Sequence, residues 1–304
     1  MTSDPLSPAP GGTTLCYPDG VKSCFACCPP IRPAGYEHID YRIMIQRMLR
    51  ENTRAFDRLG RDASPITGFS CWALGYLDRE CRLVGCLLHP AANNGVDMRY
   101  RVDYGNKCRR EKCPQAVEFE RLSPGAQRFW LRLTRGLDSF AYSSRRTNPL
   151  FTLLEWGAEV LEAVPKEVTE EIGSSRELCD RLPFFRTALP PRVHGYFLKR
   201  ALDHAGTAPL KRKDFSARFE DFARSAADRV RAALDPGDEA GPFTHRLPLD
   251  RQFLDFVRLS AGGKRMGLEK ALAIKKSLDT AFEDILSDVF PNGLAVDRHG
   301  ALLG

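Results

Sequence analysis

The chain has 304 residues, and none of its apolar runs approaches the roughly 18 residues that a membrane-spanning helix needs. Its opening stretch, Met1 to Gly12, is polar and rich in Pro, Ser and Gly, with no basic n-region and no apolar core. It therefore reads as a disordered leader, not as a secretory signal. Together these absences predict a cytoplasmic protein with no membrane association, in a compartment where thiols stay reduced and disulfides are rare. The signatures of common catalytic chemistry are missing as well. There is no G-x-G-x-x-G after a strand and no P-loop; Gly262-Gly263-Lys264 runs into Arg265 and lacks the leading glycine. There is no G-x-S-x-G elbow and no H-E-x-x-H. The acidic residues lie scattered on helical faces, so no catalytic acid, base or nucleophile can be named. Charge of one sign is also lacking: 45 basic against 39 acidic residues give +6, which permits an acidic partner without implying one.

What is present is enough apolar material, 43% of residues, to bury a real core, and a marked asymmetry in pattern. Residues 13–120 mix turn-formers (Pro18-Asp19-Gly20, Pro29-Pro30, Asn93-Asn94-Gly95) with short candidate strands. Cys71 to Leu77, the polar Asp78-Arg79-Glu80 and Cys81 to Val84 read as a hairpin. Residues 37–60 read as a helix with Ile39, Ile43, Met44, Met48, Leu49 and Phe56 on its apolar face, flanked by five arginines. Residues 121–304 are helical almost throughout. One stripe is Phe219, Phe222, Ala226, Val230 and Ala233; another is Leu268, Leu272, Leu278, Phe282, Ile285 and Val289, stopped by Pro291. Leu150 to Val164 is a third helix, ending before Pro165, and loops fall at Pro190-Pro191 and at 235–242. The expected fold is α+β, mostly α: a leader (1–12), a small irregular metal-bound cysteine domain with a short hairpin (13–120), and a helical domain (121–304). The helical stripes are core on this reading, with a protein partner on one of them as the alternative.

Nine of the ten cysteines lie between residues 16 and 113: Cys16, Cys24, Cys27, Cys28, Cys71, Cys81, Cys86, Cys108 and Cys113. Thiols in close groups, in a chain with no sign of secretion, point to metal. Cys24 to Cys27 is the C-x2-C knuckle step of zinc and iron–sulfur sites, and Cys81–Cys86 and Cys108–Cys113 are C-x4-C steps. Nine candidate ligands fill two four-coordinate sites and leave one thiol over. In an extended chain the neighbours Cys27 and Cys28 point to opposite sides, which suits two metals, or two irons of one cluster, better than one zinc. His89, three positions after Cys86, is a possible substitute ligand, although a lone histidine near a metal site more often supports a ligand than serves as one. His38 lies in the same region, and Cys179, in a charged stretch, reads as incidental. Lys107, Arg109, Arg110 and Lys112 put positive charge around Cys108 and Cys113, as in zinc knuckles that hold nucleic acid; a solvated loop is the plainer reading.

These residues resemble the cysteine-cluster family described as zinc- or iron-chelating, the YkgJ-like family. The match lies in Cys24, Cys27 and Cys28, in Cys71-Trp72-Ala73-Leu74 with Cys81, and in His89-Pro90, where that family has Arg-Pro; it covers about residues 14–120. The chain departs from the pattern at Cys16, separated from Cys24 by seven residues, and at Cys86, which precedes the His-Pro step. A weaker similarity runs to flagellin lysine-N-methylases, which carry a similar double-cysteine cluster. The resemblance implies a metal-binding protein holding zinc or an iron–sulfur cluster. The alternatives are an iron–sulfur-dependent enzyme, either a redox protein or a lysine-methylase-like protein, and a zinc-knuckle module for nucleic acid or an acidic partner.

Overall fold

The computed structural model describes residues 13–28, 35–59, 71–102, 108, 112–168, 172–235 and 241–291. The leader, the Pro29-Pro30 turn and most of the basic segment around Cys108 lie outside these. The chain divides into two compact units, Met1–Leu154 and Glu155–Gly304, so the boundary expected at 120 falls inside the first. The architecture is mostly helical with one small antiparallel hairpin, in line with the expected mix of classes. Among the described residues no helix is long and apolar enough to cross a membrane.

The first unit is built around one long helix and one short hairpin. Helix α1 spans Arg42–Leu59 after a 3-10 turn at His38–Tyr41. Its inward face is Ile45, Met48, Leu49, Asn52, Thr53 and Phe56. The expected face is therefore rotated: Ile43 and Met44 are 86% and 62% exposed, and Ile45 takes their place. Strands β1 (Leu74–Tyr76) and β2 (Val84–Cys86) pair antiparallel with Leu74 opposite Cys86 and Gly75 opposite Gly85. This pair is glycine because both faces are crowded. A Cβ on Gly75 would lie 2.7 Å from Thr53 Oγ1 of α1, and one on Gly85 would lie 2.7 Å from the Tyr17 hydroxyl oxygen. The second strand starts at Val84, three residues later than expected, because the Asp78 carboxylate ties the turn. It accepts the N–H groups of Arg82 (2.8 Å) and Leu83 (2.7 Å). Cys81 is thereby left in the turn, in the left-handed region at φ 57°. Helices α2 (Pro114–Glu120), α3 (Pro124–Leu131), α4 (Ser139–Ser143) and α5 (Pro149–Leu154) complete the unit.

The second unit is an aromatic-cored helical assembly. Its helices are α6 (Ala158–Glu167), α7 (Ser175–Arg181), α8 (Pro191–Ala205), α9 (Ala208–Lys211), α10 (Lys213–Ala233), α11 (Arg251–Ser260) and α12 (Leu268–Val289). The single helix expected over 150–164 is two, because Gly157 sits at φ 97° and breaks it. α6 then runs through Pro165 to Glu167. The α10 stripe is buried from Phe219 to Val230 as expected, with Phe215, Ala223 and Ala227 added, while Ala233 at its end is half-buried. On α12 the stripe shifts: Leu268 and Leu272 are exposed and Ile285 half-buried, while Ala271, Ile274 and Leu286 are buried beside Leu278, Phe282 and Val289. Phe197 of α8 is the hub, meeting Phe222, Phe256 and Phe282 edge-on at centroid distances of 4.9, 5.0 and 5.3 Å. Such contacts add roughly 0.5–1.5 kcal/mol each to the burial of the rings.

Candidate metal centre

Residues 13–28 have almost no regular structure, so their backbone groups are satisfied by side chains and by each other. The Asp19 carboxylate accepts the N–H groups of Val21 (2.8 Å) and Lys22 (2.9 Å) and turns the chain back. Cys24 N–H then donates to the Cys16 carbonyl at 2.8 Å, setting these two cysteines side by side. Buried Ser23 fastens the loop to β2: its hydroxyl donates to the Val84 carbonyl (2.7 Å) and accepts the Val84 N–H (2.9 Å). From α4, the hydroxyls of Ser139 and Ser143 accept the N–H groups of Ser23 (3.2 Å) and Phe25 (2.9 Å). Phe25 anchors the loop in the apolar group of Ile45, Leu49, Leu74, Tyr76, Val84 and Phe140, with Cys28 and Cys71 packed against it.

The chain turns at Ala26-Cys27, and Cys28 N–H donates to the Phe25 carbonyl at 3.0 Å. The extended geometry expected at Cys27-Cys28 is therefore not adopted. The two thiols share a hydrogen bond, the largest cause of the raised Cys28 pKa, followed by burial and the charges of Cys27, Cys86 and Cys71.

The hairpin carries the next ligand candidates. Asn52 of α1 donates to the carbonyls of Cys71 (3.1 Å) and Leu74 (2.8 Å), which holds the residue before β1 in place. Cys86 ends β2, and Cys71 and Cys86 pack on one apolar group of Ala73, Leu88, Met98 and Val102. Arg99 reaches from the next segment. It grips Asp97 through Nε (3.0 Å) and Nη2 (2.9 Å), and Nη1 donates to the Cys108 carbonyl at 2.9 Å. Cys113 caps the N-terminus of α2, its sulfur accepting the Ala116 N–H at 3.3 Å.

Burial dominates the chemistry of these sulfurs. It pushes Cys16 up to about 12, helped by Cys27 and Cys113. It raises Cys24 well above its ordinary value, with Cys16, Cys27 and Cys113 adding to it. It pushes Cys86 up to about 12, with Cys71 and Cys108 as further contributors, and raises Cys113, with Cys27 adding. Opposing this, backbone N–H groups lower the pKa values: Ala26 for Cys24, Leu88 for Cys86, and Ala116 for Cys113, the last donating to the sulfur at 3.3 Å. Cations oppose it too: Lys112 toward Cys16, Arg99 toward Cys86 and Arg145 toward Cys113. N–H donors and cations favour anionic sulfur, and a thiolate is the form that binds metal. A bound cation supplies the remaining favourable charge that burial withholds. As they stand, among the described residues, no three His, Cys, Asp or Glu side chains are grouped closely enough to hold an ion. The thiols are neighbours, not a closed shell.

Backbone bonds, packing and electrostatics link eight of the nine candidate cysteines, Cys27 among them although exposed, while Cys81 lies on an exposed turn at positive φ. All ten cysteines are among the described residues and none forms a disulfide. Cys179 lies on α7 in the second unit. His89 packs against Tyr17 with the rings tilted and their centroids 4.8 Å apart, and burial lowers it to about 4, so it is neutral at pH 7. His38 is a buried aromatic packed edge-on against Phe25 and Tyr36. Beside Cys81 a surface cavity of about 440 Å³ is lined by Lys22, Asp19, Arg42 and Asp138, which pair with one another. Sequence reasoning missed Ser23, Ser139, Ser143, Asn52, Arg99 and Tyr17, which position the cysteines. Only Tyr17 carried a hint, by adjacency to Cys16. No family model matches the chain, and neither a curated protein nor a solved structure is found similar to it.

Proposed function

We propose that the first unit is a metal-binding domain of a cytoplasmic protein, holding zinc or an iron–sulfur cluster through its cysteines. One observation carries this reading: cysteines far apart in sequence are brought together, with Cys24 N–H bonded to the Cys16 carbonyl at 2.8 Å and Cys28, Cys71 and Cys86 packed on adjoining apolar groups. Cysteines that only fill core space act as small hydrophobes and are buried singly, whereas these are half-buried or exposed and grouped. The donor set is sulfur-rich, which suits zinc and iron–sulfur clusters over magnesium or calcium. Zinc in such a shell organises a fold; a cluster adds electron transfer. The chain's own residues bury the thiols, orient them and supply the hydrogen bonds and cations that favour sulfur anions. The YkgJ-like resemblance of residues 14–120 agrees with this reading on sequence grounds. Anaerobic purification with elemental analysis and a visible spectrum tests it. Broad absorbance near 400 nm with matching iron and sulfide supports a cluster, and a colourless protein with bound zinc supports structural zinc. A metal-free protein overturns the proposal.

A further inference from the structure

The backbone sorts the eight thiols into two groups. Cys16 and Cys24 are joined by a main-chain hydrogen bond of 2.8 Å, and Cys27 follows Cys24 through the turn at Ala26. Cys86 ends β2 opposite Leu74, and Cys71, three residues before Leu74, packs with Cys86 on the same apolar group. Cys71 also packs on the same apolar group as Cys28, and Arg99 brings the Cys108 backbone to the segment that follows Cys86. The electrostatic neighbours sort the same way. Cys27 and Cys113 act on Cys16 and on Cys24, and Cys27 acts on Cys113. Cys71 and Cys86 act on Cys28, and Cys71 and Cys108 act on Cys86. The groups meet at the Cys27–Cys28 contact. Tyr17 also stands at this junction, where it feels Cys86, Cys16 and Cys28 and accepts the Cys86 N–H at its hydroxyl oxygen.

Resting on the metal-binding reading, we propose that the first unit holds two four-thiolate centres side by side. Cys16, Cys24, Cys27 and Cys113 surround one; Cys28, Cys71, Cys86 and Cys108 surround the other. Cys81 belongs to neither. Four sulfurs match the tetrahedral demand of zinc and the cysteine count of a [2Fe–2S] or [4Fe–4S] cluster. Neutral thiols attract one another only weakly, and closing the two shells is the work of the cation. The turn at Ala26-Cys27 holds the thiols of Cys27 and Cys28 in contact, so the two centres adjoin at this pair.

The test is metal content per chain, by elemental analysis and native mass spectrometry, on the full chain purified without oxygen. Cys24→Ser or Cys113→Ser is expected to halve the metal, and so is Cys86→Ser or Cys108→Ser. A double variant within one group leaves half, a double variant across groups leaves none, and Cys81→Ser leaves the full amount. Two positions probe each group, so a variant that misfolds is replaced by its partner, with circular dichroism as the check. The division is overturned if one substitution removes all metal while the helical signal is kept, or if Cys81→Ser halves it. A wild-type chain without metal overturns the metal-binding reading itself, a different result from either.

Discussion

The two units solve the problem of holding a chain together in different ways. Glu155–Gly304 buries aromatic rings on long helices, and Phe184, Phe197, Phe215, Phe219, Phe253, Phe256 and Phe282 are all fully buried. Its stability comes from apolar surface removed from water, about 25 cal/mol per Å². The cysteine-bearing part of Met1–Leu154 has one long helix and two strands of three residues each. Its loops are fixed by hydroxyls, amides and carboxylates acting on backbone groups, and its apolar groups around Phe25 and Ala73 are small. The lesson is that the irregular region is shaped for its sulfurs, and the helical region for its own core.

Metal removal should break the comparison most strongly. If the thiols hold metal, chelation is expected to melt the first unit and leave the second folded, because structural zinc supplies on the order of 10 kcal/mol of folding free energy. Amide exchange read separately over 13–120 and 158–290 checks this; equal loss of protection in both would contradict it. Next in size is Phe282→Ala, which empties the centre of the aromatic core and is expected to cost about 3–5 kcal/mol in the second unit only, measured by urea unfolding. Asn52→Ala strands the carbonyls of Cys71 and Leu74 and is expected to cost about 1–3 kcal/mol in the first unit, with metal bound more weakly. Cys81→Gly relieves a left-handed backbone and is expected to leave stability unchanged or raise it by up to about 1 kcal/mol, unlike glycine at any other cysteine of the region. The smallest effect concerns His194, buried in α8 with Nδ1–H donating to the Pro190 carbonyl at 2.9 Å. Burial lowers its pKa, so as pH falls through its ordinary value near 6.5 the unfolded chain takes up a proton that the folded one refuses. The second unit is then expected to lose stability below pH 6.5, and His194→Gln to flatten that slope in thermal melts taken across pH.

Much of this was legible in the sequence, and the failures have physical causes. Apolar spacing placed α10 and α12, and cysteine spacing picked out the region where thiols gather. It did not phase α1, because Ile43 and Ile45 are equally apolar and only the hairpin lying on Asn52 and Thr53 decides which one turns inward. Cys81 looked like a strand residue until the Asp78 carboxylate, a local side-chain cap invisible to period-two alternation, made it part of a turn. The serines that hold the cysteine loop lie 116 and 118 positions away from their partners, and no local pattern joins them. Cys27 and Cys28 were expected to diverge as in a strand; a turn closed by a single main-chain hydrogen bond brought their thiols together.

The central claim is that the thiols of the first unit are bound to metal. Thiol titration of the native, anaerobically purified chain, before and after chelation and alongside elemental analysis, tests it most directly. The account predicts that at most Cys81 and Cys179 react at first, and that the other eight of the ten become reactive as metal is released. Ten reactive thiols at the outset, or no metal released as the remainder open, would contradict it.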